Sequence, residues 1–471
     1  MIVMKFGGSS VGTGERIANV ARIAADVTER RGTPPVVVVS AMSGVTDALR
    51  RAATTATAGD QDTFHLIRDE LQQRHKQAID DCVSDMEHAR ALRAEIESLL
   101  NWFETLCQSI YTLGELTPRG MDVVSGLGER LSARVVAAAM RSQGLKARTV
   151  EATEIIVTDN KFGNATPLFP ETRERVQRRI VPLVEVGVIP VVTGFIGATL
   201  DGVLTTLGRG SSDFSATVLG SALDAEEVWI WTDVDGVMTA DPRIVSQART
   251  LPSISYSEVA ELSYFGAKVL HPSTIQPVSS RGIPVRVLNS LRPENPGTLI
   301  TNDAVDEPLV KGITAIRDLS LITIAGPGMQ GVPGVAGRAF GSVARSGVSV
   351  LMITQSSSEQ SICFVVRTVD HSAVVQSAGA EFELELMRGD IDAVTSQDEV
   401  AIIAVVGAGM RGKPGIAYHI FGAVAERGIN ILSIAQGSSE YNLSMVVSHQ
   451  DVDEGVRAIH QQFGLDRIGG G

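Results

Sequence analysis

Cysteine is scarce in this chain and basic residues are outnumbered. Three cysteines, Cys82, Cys107 and Cys363, are spread over 471 residues. They lie too far apart for a C-x-x-C metal or redox pair and are too few for a disulfide framework, so a reducing, cytoplasmic location is expected. Lys plus Arg number 41 against 54 Asp plus Glu, a formal charge of −13. That balance disfavours nucleic acid or an anionic membrane as partner and leaves small molecules as the expected ligands. No stretch supplies the roughly 18 uninterrupted apolar residues of a membrane span. The first ten residues hold Lys5 and a Gly-Gly-Ser-Ser run in place of a charged stretch and an apolar core, so a secretory leader is not expected either.

Two kinds of catalytic signature are also missing. The run Lys5-Phe6-Gly7-Gly8-Ser9-Ser10 does not have the G-x-x-x-x-G-K-[ST] spacing of a P-loop, and no His or Cys dyad suited to nucleophilic catalysis stands out. What is present begins with length: 471 residues correspond to about three domains at roughly 150 residues each. Continuous apolar runs at 1–6, 35–39, 188–192 and 228–231, separated by helical patterns, suit a parallel sheet buried on both faces. Between about 60 and 115, Leu92, Ile96, Leu99, Phe103, Leu106, Ile110 and Leu113 recur at spacings of three and four, with charges opposite. This predicts an inserted pair of amphipathic helices. The polar stretch 302–308 marks a domain boundary.

An internal repeat follows it. Gly326-Pro-Gly-Met-Gln-Gly-Val-Pro-Gly returns as Gly407-Ala-Gly-Met-Arg-Gly-Lys-Pro-Gly, and Phe340, Gly347, Gln355 and Glu359 return as Phe421, Gly428, Gln436 and Glu440, always 81 residues on. Each copy reads strand, glycine-rich loop, helix, strand, strand, with a further helix to come, a ferredoxin-like order. Both loops match G-x-G-x-x-G, but the acidic residue that a dinucleotide ribose needs about 20 residues later is missing. The loops are instead expected to bend tightly and leave backbone N–H groups for an amino-acid carboxylate.

In the first half, Lys5 ends a strand beside glycines that open a helix, where free N–H groups and a lysine could hold a phosphoryl group. Leu207-Gly208-Arg209-Gly210-Ser211-Ser212-Asp213 places an arginine fork between glycines, suited to a carboxylate. Gly126-Leu-Gly-Glu129-Arg130 adds a carboxylate after a glycine turn, and Thr232-Asp233-Val234-Asp235-Gly236 ends a strand. Asp213 and Glu129 could equally serve only as first-turn helix acids, and His271 as a cap.

Taken in order, KFGGSSV, VVVVSAMSGVTD, GLGERLS, GFIG, TLGRGSSDFSA, TDVDGVMTADPRIV and YFGAKVLHP resemble the aspartate kinases of the amino acid kinase superfamily. The doubled glycine-loop modules resemble their paired ACT regulatory domains. The TDVDG-x-x-TADPR and FGAKVLHP segments favour this family over acetylglutamate, uridylate or carbamate kinases. The resemblance implies an α/β chain: a three-layer amino-acid-kinase-like catalytic domain at 1–305 with a helical insert, then two ferredoxin-like βαββαβ ACT domains at 310–390 and 396–465. It implies ATP-dependent phosphorylation of the L-aspartate β-carboxylate, the first step toward lysine, threonine and methionine. ATP would come with Mg²⁺, and no metal site is expected in the protein itself. Lys5 and Lys268 are implied as phosphate-neutralising lysines, with Gly7, Gly8 and Ser9 as the phosphate cradle. Thr46, Glu129, Phe195, Arg209, Ser212 and Asp213 are implied as the aspartate pocket, Arg209 gripping the α-carboxylate and Glu129 the α-ammonium. Lys5, Arg209, Asp213 and Lys268 form the implied catalytic set. Thr232, Asp233, Asp241, Pro242 and Arg243 match the stretch that holds adenosine and the β-phosphate, with Met238 standing where family members often carry Tyr. Gly328, Met329, Gln355 and their counterparts Gly409, Met410, Gln436 are the expected effector sites, for threonine ahead of lysine. A homodimer or homotetramer is expected, and the chain as given reads as monofunctional. The alternative is a catalytically silent amino-acid sensor that uses the ACT pair.

Overall fold

The computed structural model describes residues 1–208, 210–267, 270–302, 308–437 and 440–467. They form two compact units. The first comprises 1–237, 252–256 and 269–304, and the second 238–251, 257–268 and 305–471. The linear boundary expected near 305 therefore does not separate them, because two short segments that precede it, 238–251 and 257–268, belong to the second unit.

The first unit contains β1 (Ile2–Phe6), β2 (Val36–Val39), β3 (Ala147–Val150), β4 (Ile189–Thr193), β5 (Ile196–Ala198), β6 (Leu204–Thr206), β7 (Glu227–Thr232), β8 (Ser253–Ser255), β9 (Val285–Asn289) and β10 (Thr298–Thr301). Eight of them make one sheet in the order β3-β4-β2-β1-β7-β9-β10-β8, parallel throughout except between β9 and β10. Every residue of β1 and β2 is buried, as continuous Val and Ile runs require in a sheet covered on both faces. The chain leaves β1 toward β2 on one side and returns as β7 on the other. A crevice opens where the order reverses, at the carboxyl ends of these strands.

The insert is a helical pair, Gln61–Cys82 and Met86–Leu113, started by Asp60 and Asp85, whose carboxylates accept from Thr63 N and from Glu87 and His88 N. Its buried stripe is Leu92, Ile96, Leu100, Phe103, Cys107 and Ile110, while Leu99 and Leu106 flank it and Leu113 is 77% exposed. A strict three-four repeat drifts around a 3.6-residue helix, so the neighbouring positions take the centre. Burial pushes the Cys82 and Cys107 thiols up to about 12, leaving them unreactive. No described helix is long and apolar enough to cross a membrane.

The second unit is built on β11 (Gly312–Ala325), β12 (Met352–Gln355), β13 (Ser361–Arg367), β14 (Ala393–Val406), β15 (Ser433–Gln436) and β16 (Asn442–Ser448), in the order β12-β13-β11-β14-β16-β15. Its modules are interleaved. The second half of β11 pairs with β13 and with the start of β14, whereas Gly312–Ile316 pairs with Ile402–Val406. The last strand of the second ferredoxin-like module thus comes from chain that precedes the first. Asp318 and Glu399, 81 residues apart, both adopt positive φ (58° and 55°) where each long strand passes from one module to the other. The sheet curls until its edges meet, Thr354 Oγ1 donating to Ile434 O at 2.9 Å, around an inner core that includes Leu321, Val365, Ile402 and Val446.

This interleaving makes Gly407 a sensitive position. Its φ of 175° suits any residue, but a Cβ there would lie 2.2 Å from Leu309 O, in the segment that delivers the borrowed strand. Gly407→Ala should cost about 1–3 kcal/mol in denaturant unfolding, whereas Gly422→Ala, which meets open space in a helix, should be neutral or slightly stabilising. Equal stability of the two variants would contradict the interleaved arrangement.

Candidate active site

At the end of β1 the backbone turns sharply. Gly7 N donates to Trp231 O (3.1 Å), Ser10 N to Gly7 O (2.9 Å) and Ser43 N to Gly8 O (3.2 Å). A Cβ on Gly8 would sit 2.9 Å from Ala41 O, so the turn closes against the end of β2 only with glycine there. Arg16 secures Ser9 O (2.7 Å), and Ser10 Oγ meets Ser290 Oγ at 2.8 Å, tying the turn to the residues after β9. Thr13 caps the helix Gly14–Arg31 that follows. Lys5, 8% exposed, reaches Asp213 Oδ1 at 2.6 Å from the first turn of helix Ser211–Ala222.

A cleft of about 630 Å³ opens beside this pair. Of the expected residues it is lined by Lys5, Gly8, Thr46, Glu129, Phe195, Ser212 and Asp213, drawn from five separate stretches of the chain. Glu129 belongs to helix Leu127–Ser142 and is 3% exposed. Its Oε1 accepts from Ala41 N (3.0 Å), and its buried Oε2 has no hydrogen-bond partner among the described residues. Burial raises its carboxyl from the ordinary 4.5 to about 8, opposed by the Ala41 N–H and the Lys5 charge. Phe195 holds φ at 67°, its N donating to Ser215 Oγ (3.0 Å). Gly194 before it leaves room for Ser212, whose Oγ would lie 2.8 Å from a Cβ.

Other cleft residues were not anticipated. Ser40, Ser43, Asp47 and Arg50 lie in or just after the VVVVSAMSGVTD motif, where the motif itself was the available signal, while Met121, Asp122 and Ser125 precede GLGER without any local signature. Thr232 ends β7 and Asp233 follows it, Thr232 Oγ1 donating to Asp233 Oδ1 (3.2 Å), and neither is brought into the cleft lining; nor are Gly7 and Ser9. Asp241, Pro242 and Arg243 belong to the second unit. There the Arg243 guanidinium grips Asp241 (Nη2–Oδ2 2.6 Å) and holds its carboxyl below the usual range. Met238 accepts from Thr250 Oγ1 through its sulfur. Arg209 and Lys268 lie outside the described residues. His271 caps helix Pro272–Ser279. Among the described residues no group of three or more His, Cys, Asp or Glu could hold a metal ion.

In the second unit, Met329 and Met410 are core residues, and Gln355 and Gln436 are exposed at the ends of β12 and β15. The glycine loops depart from the expectation of free N–H groups. Glu359 Oε2 accepts from Gly331 N (2.9 Å) and Glu440 Oε2 from Gly412 N (2.6 Å), both glutamates at positive φ. In the second loop Ala408 N also donates to Glu258 Oε1 (2.7 Å), where the first copy has Pro327, without an N–H. The donors that bend these loops are thus partly met by the chain's own carboxylates.

The model for the amino acid kinase family matches residues 1–289, and that for the ACT domain matches 322–382 and 403–463. The bifunctional aspartokinase/homoserine dehydrogenase 1 of Zea mays is 38% identical over 99% of this chain and 50% of its own length, and aspartokinase 1 of Arabidopsis thaliana is 33% identical over 98% and 80%. The chain spans about half the length of the bifunctional relatives it matches. Among solved structures, E. coli aspartokinase III in complex with aspartate and ADP is similar at TM-score 0.80 and 29% identity, covering 98% of this chain and 99% of that one. The aspartate kinase of Clostridium acetobutylicum is similar at TM-score 0.81 and 26% identity, covering 98% and 100%.

The buried carboxyl has a measurable consequence. Glu129 in the folded chain keeps a proton that the unfolded chain releases, so its ionisation costs stability progressively as pH rises from about 4.5 to about 8. Glu129→Gln removes that dependence. The stability of the variant relative to the parent should therefore climb across this window, with a slope approaching about 1.4 kcal/mol per pH unit. Parallel stability–pH curves would show that Glu129 is not held protonated.

Proposed function

The chain belongs to the amino acid kinase family, among its aspartokinases, and from that premise we propose that it transfers the γ-phosphoryl group of ATP to the β-carboxylate of L-aspartate, giving 4-phospho-L-aspartate and ADP. The observation that supports this most is the single cleft that gathers Lys5, Asp213 and the unpartnered Glu129 oxygen. The β-carboxylate is already ionised at neutral pH, so no general base is needed. One of its oxygens attacks the γ-phosphorus as the bond to the β,γ-bridging oxygen breaks, and ADP carries away the electron pair. Catalysis reduces to alignment and charge neutralisation. Lys5 exchanges Asp213 for phosphate oxygens, with Lys268 adding a second cation and the Gly7–Ser9 turn its N–H groups. Thr232, Asp233, Asp241, Pro242 and Arg243 hold the nucleotide. Glu129 takes the α-ammonium, Arg209 the α-carboxylate, and Thr46, Phe195 and Ser212 the rest of the substrate. Mg²⁺, bound with the nucleotide, would supply charge neutralisation on the triphosphate.

The paired ACT modules take an amino-acid effector, threonine ahead of lysine, in a homodimer or homotetramer that works in the cytoplasm. Glu258 occupies the Ala408 N–H of the second glycine loop, and Pro327 leaves the first loop without an N–H at the same place, so neither module offers that donor to the effector. Feedback requires tighter effector binding to the inactive arrangement, and a 100-fold preference corresponds to about 2.7 kcal/mol.

Hydroxylamine trapping of an acyl phosphate, dependent on both ATP and aspartate, tests the reading. Arg209→Lys keeps the charge and loses the fork, and should lower kcat/KM for aspartate by about tenfold or more with little change in the ATP KM. Absence of hydroxamate from the parent protein, with amino-acid binding retained, would identify a silent sensor instead.

For regulation, threonine should raise the melting temperature and inhibit turnover. Gln355→Ala and Gln436→Ala should each retain uninhibited activity, and at least one should shift the half-inhibiting threonine concentration upward. Inhibition by lysine alone would overturn the effector assignment, and unchanged inhibition in the double variant would overturn the pocket.

A further inference from the structure

Asp122 is a carboxylate that the chemistry above does not use. It lies on helix Pro118–Ser125, is 2% exposed, and lines the cleft. Its Oδ2 accepts from Gly163 N (2.9 Å) and Thr206 N (3.0 Å), and its Oδ1 from Thr206 Oγ1 (2.7 Å). Burying a carboxylate is costly unless donors meet it. Here the donors come from two segments, 41 and 84 residues distant in sequence.

Both ends of this clasp lead to substrate-binding positions. Toward the C-terminus, the Asp122 helix passes through Gly126 into the helix that carries Glu129. A Cβ at Gly126 would lie 2.6 Å from Ile196 Cγ2, so this junction is pressed directly against the β5–β6 hairpin. On the other side, Thr206 ends β6 three residues before Arg209, and Gly208 between them accommodates Asn164, whose Oδ1 would be 2.4 Å from a Cβ there. Helix junction, hairpin and the 158–165 loop thus interlock, and Asp122 supplies the hydrogen bonds that join all three.

We propose that Asp122 is a positioning residue that fixes the separation between Glu129 and the Arg209 loop, and so sets the clamp on the amino-acid α-carbon from which the reacting carboxylate projects. The inference rests on the substrate roles given to those two residues above. A network joining two such segments carries alignment, so its loss falls on the substrate it clamps and leaves the nucleotide aside.

The test uses the full chain. Asp122→Asn retains the shape but offers one acceptor oxygen to three donors. It should raise the aspartate KM by about fivefold or more, with the ATP KM within about twofold of the parent. Thr206→Val removes one bond of the three and should move the aspartate KM less, in the same direction, while Thr206→Ser should restore the parent value. Should Asp122→Asn fail to fold, the Thr206 pair decides the matter. An unchanged aspartate KM, or proportional changes in both KM values and melting temperature without rescue by serine, would overturn the proposal. If the parent protein shows no aspartate-dependent turnover, the functional reading fails on its own, and amide exchange decides the positioning claim. Thr206→Val should then accelerate exchange in 158–165 and 204–208 and at the start of the Glu129 helix. Faster exchange confined to 204–208 would show that the clasp does not couple the two sides.

Discussion

A charged side chain at the end of a fully buried strand is the constraint on which the site depends. Lys5 sits in β1, whose other residues are all core, and its ammonium leaves the sheet only at the crevice where the strand order reverses. An isolated ammonium there would be costly to bury, and Asp213 offsets that cost at 2.6 Å. The pairing in turn fixes helix Ser211–Ala222 against the end of β1. On the proposed reading, an anionic substrate would meet a lysine already held in place by this partner.

The same economy of charge recurs across the molecule. Burial raises the Glu129 carboxyl to about 8 and leaves its Oε2 without a hydrogen-bond partner among the described residues, a setting in which a cationic ligand group would favour the ionised form. In the second unit, Glu359 and Glu440 occupy loop N–H groups at equivalent places in the repeat, and Glu258 takes one more in the second copy alone. The copies thus differ at one loop position, Pro327 against Ala408, and only the second can take up this outside carboxylate. Interleaving through Gly312–Ile316 joins the two copies in one six-stranded sheet.

Much of this was legible in the sequence because the signals are local. Continuous apolar runs announced β1, β2 and β4, glycines marked the turns, and the 81-residue offset gave the repeat. The seven motifs placed Lys5, Glu129 and Asp213 together before any geometry was available. What was illegible depends on distant partners. Asp122 in Arg-Gly-Met-Asp reads as an ordinary helix acid, since the donors that bury it are 41 and 84 residues away. The swap of Gly312–Ile316 into the second module is likewise invisible, because β strands carry no label for the partner they choose. The glycine loops show the opposite failure: their turn was foreseen, yet the glutamates that fill their N–H groups lie 28 residues further on.

The central claim is that a substrate carboxylate oxygen attacks phosphorus in the cleft beside Lys5. Aspartate labelled with ¹⁸O in its β-carboxylate tests it directly when the phosphorylated product is followed by ³¹P NMR. The account predicts that one labelled oxygen becomes bonded to phosphorus in the product and stays there when ADP is released. A product with no labelled oxygen on phosphorus, or ATP consumption that yields only unlabelled inorganic phosphate, would contradict it.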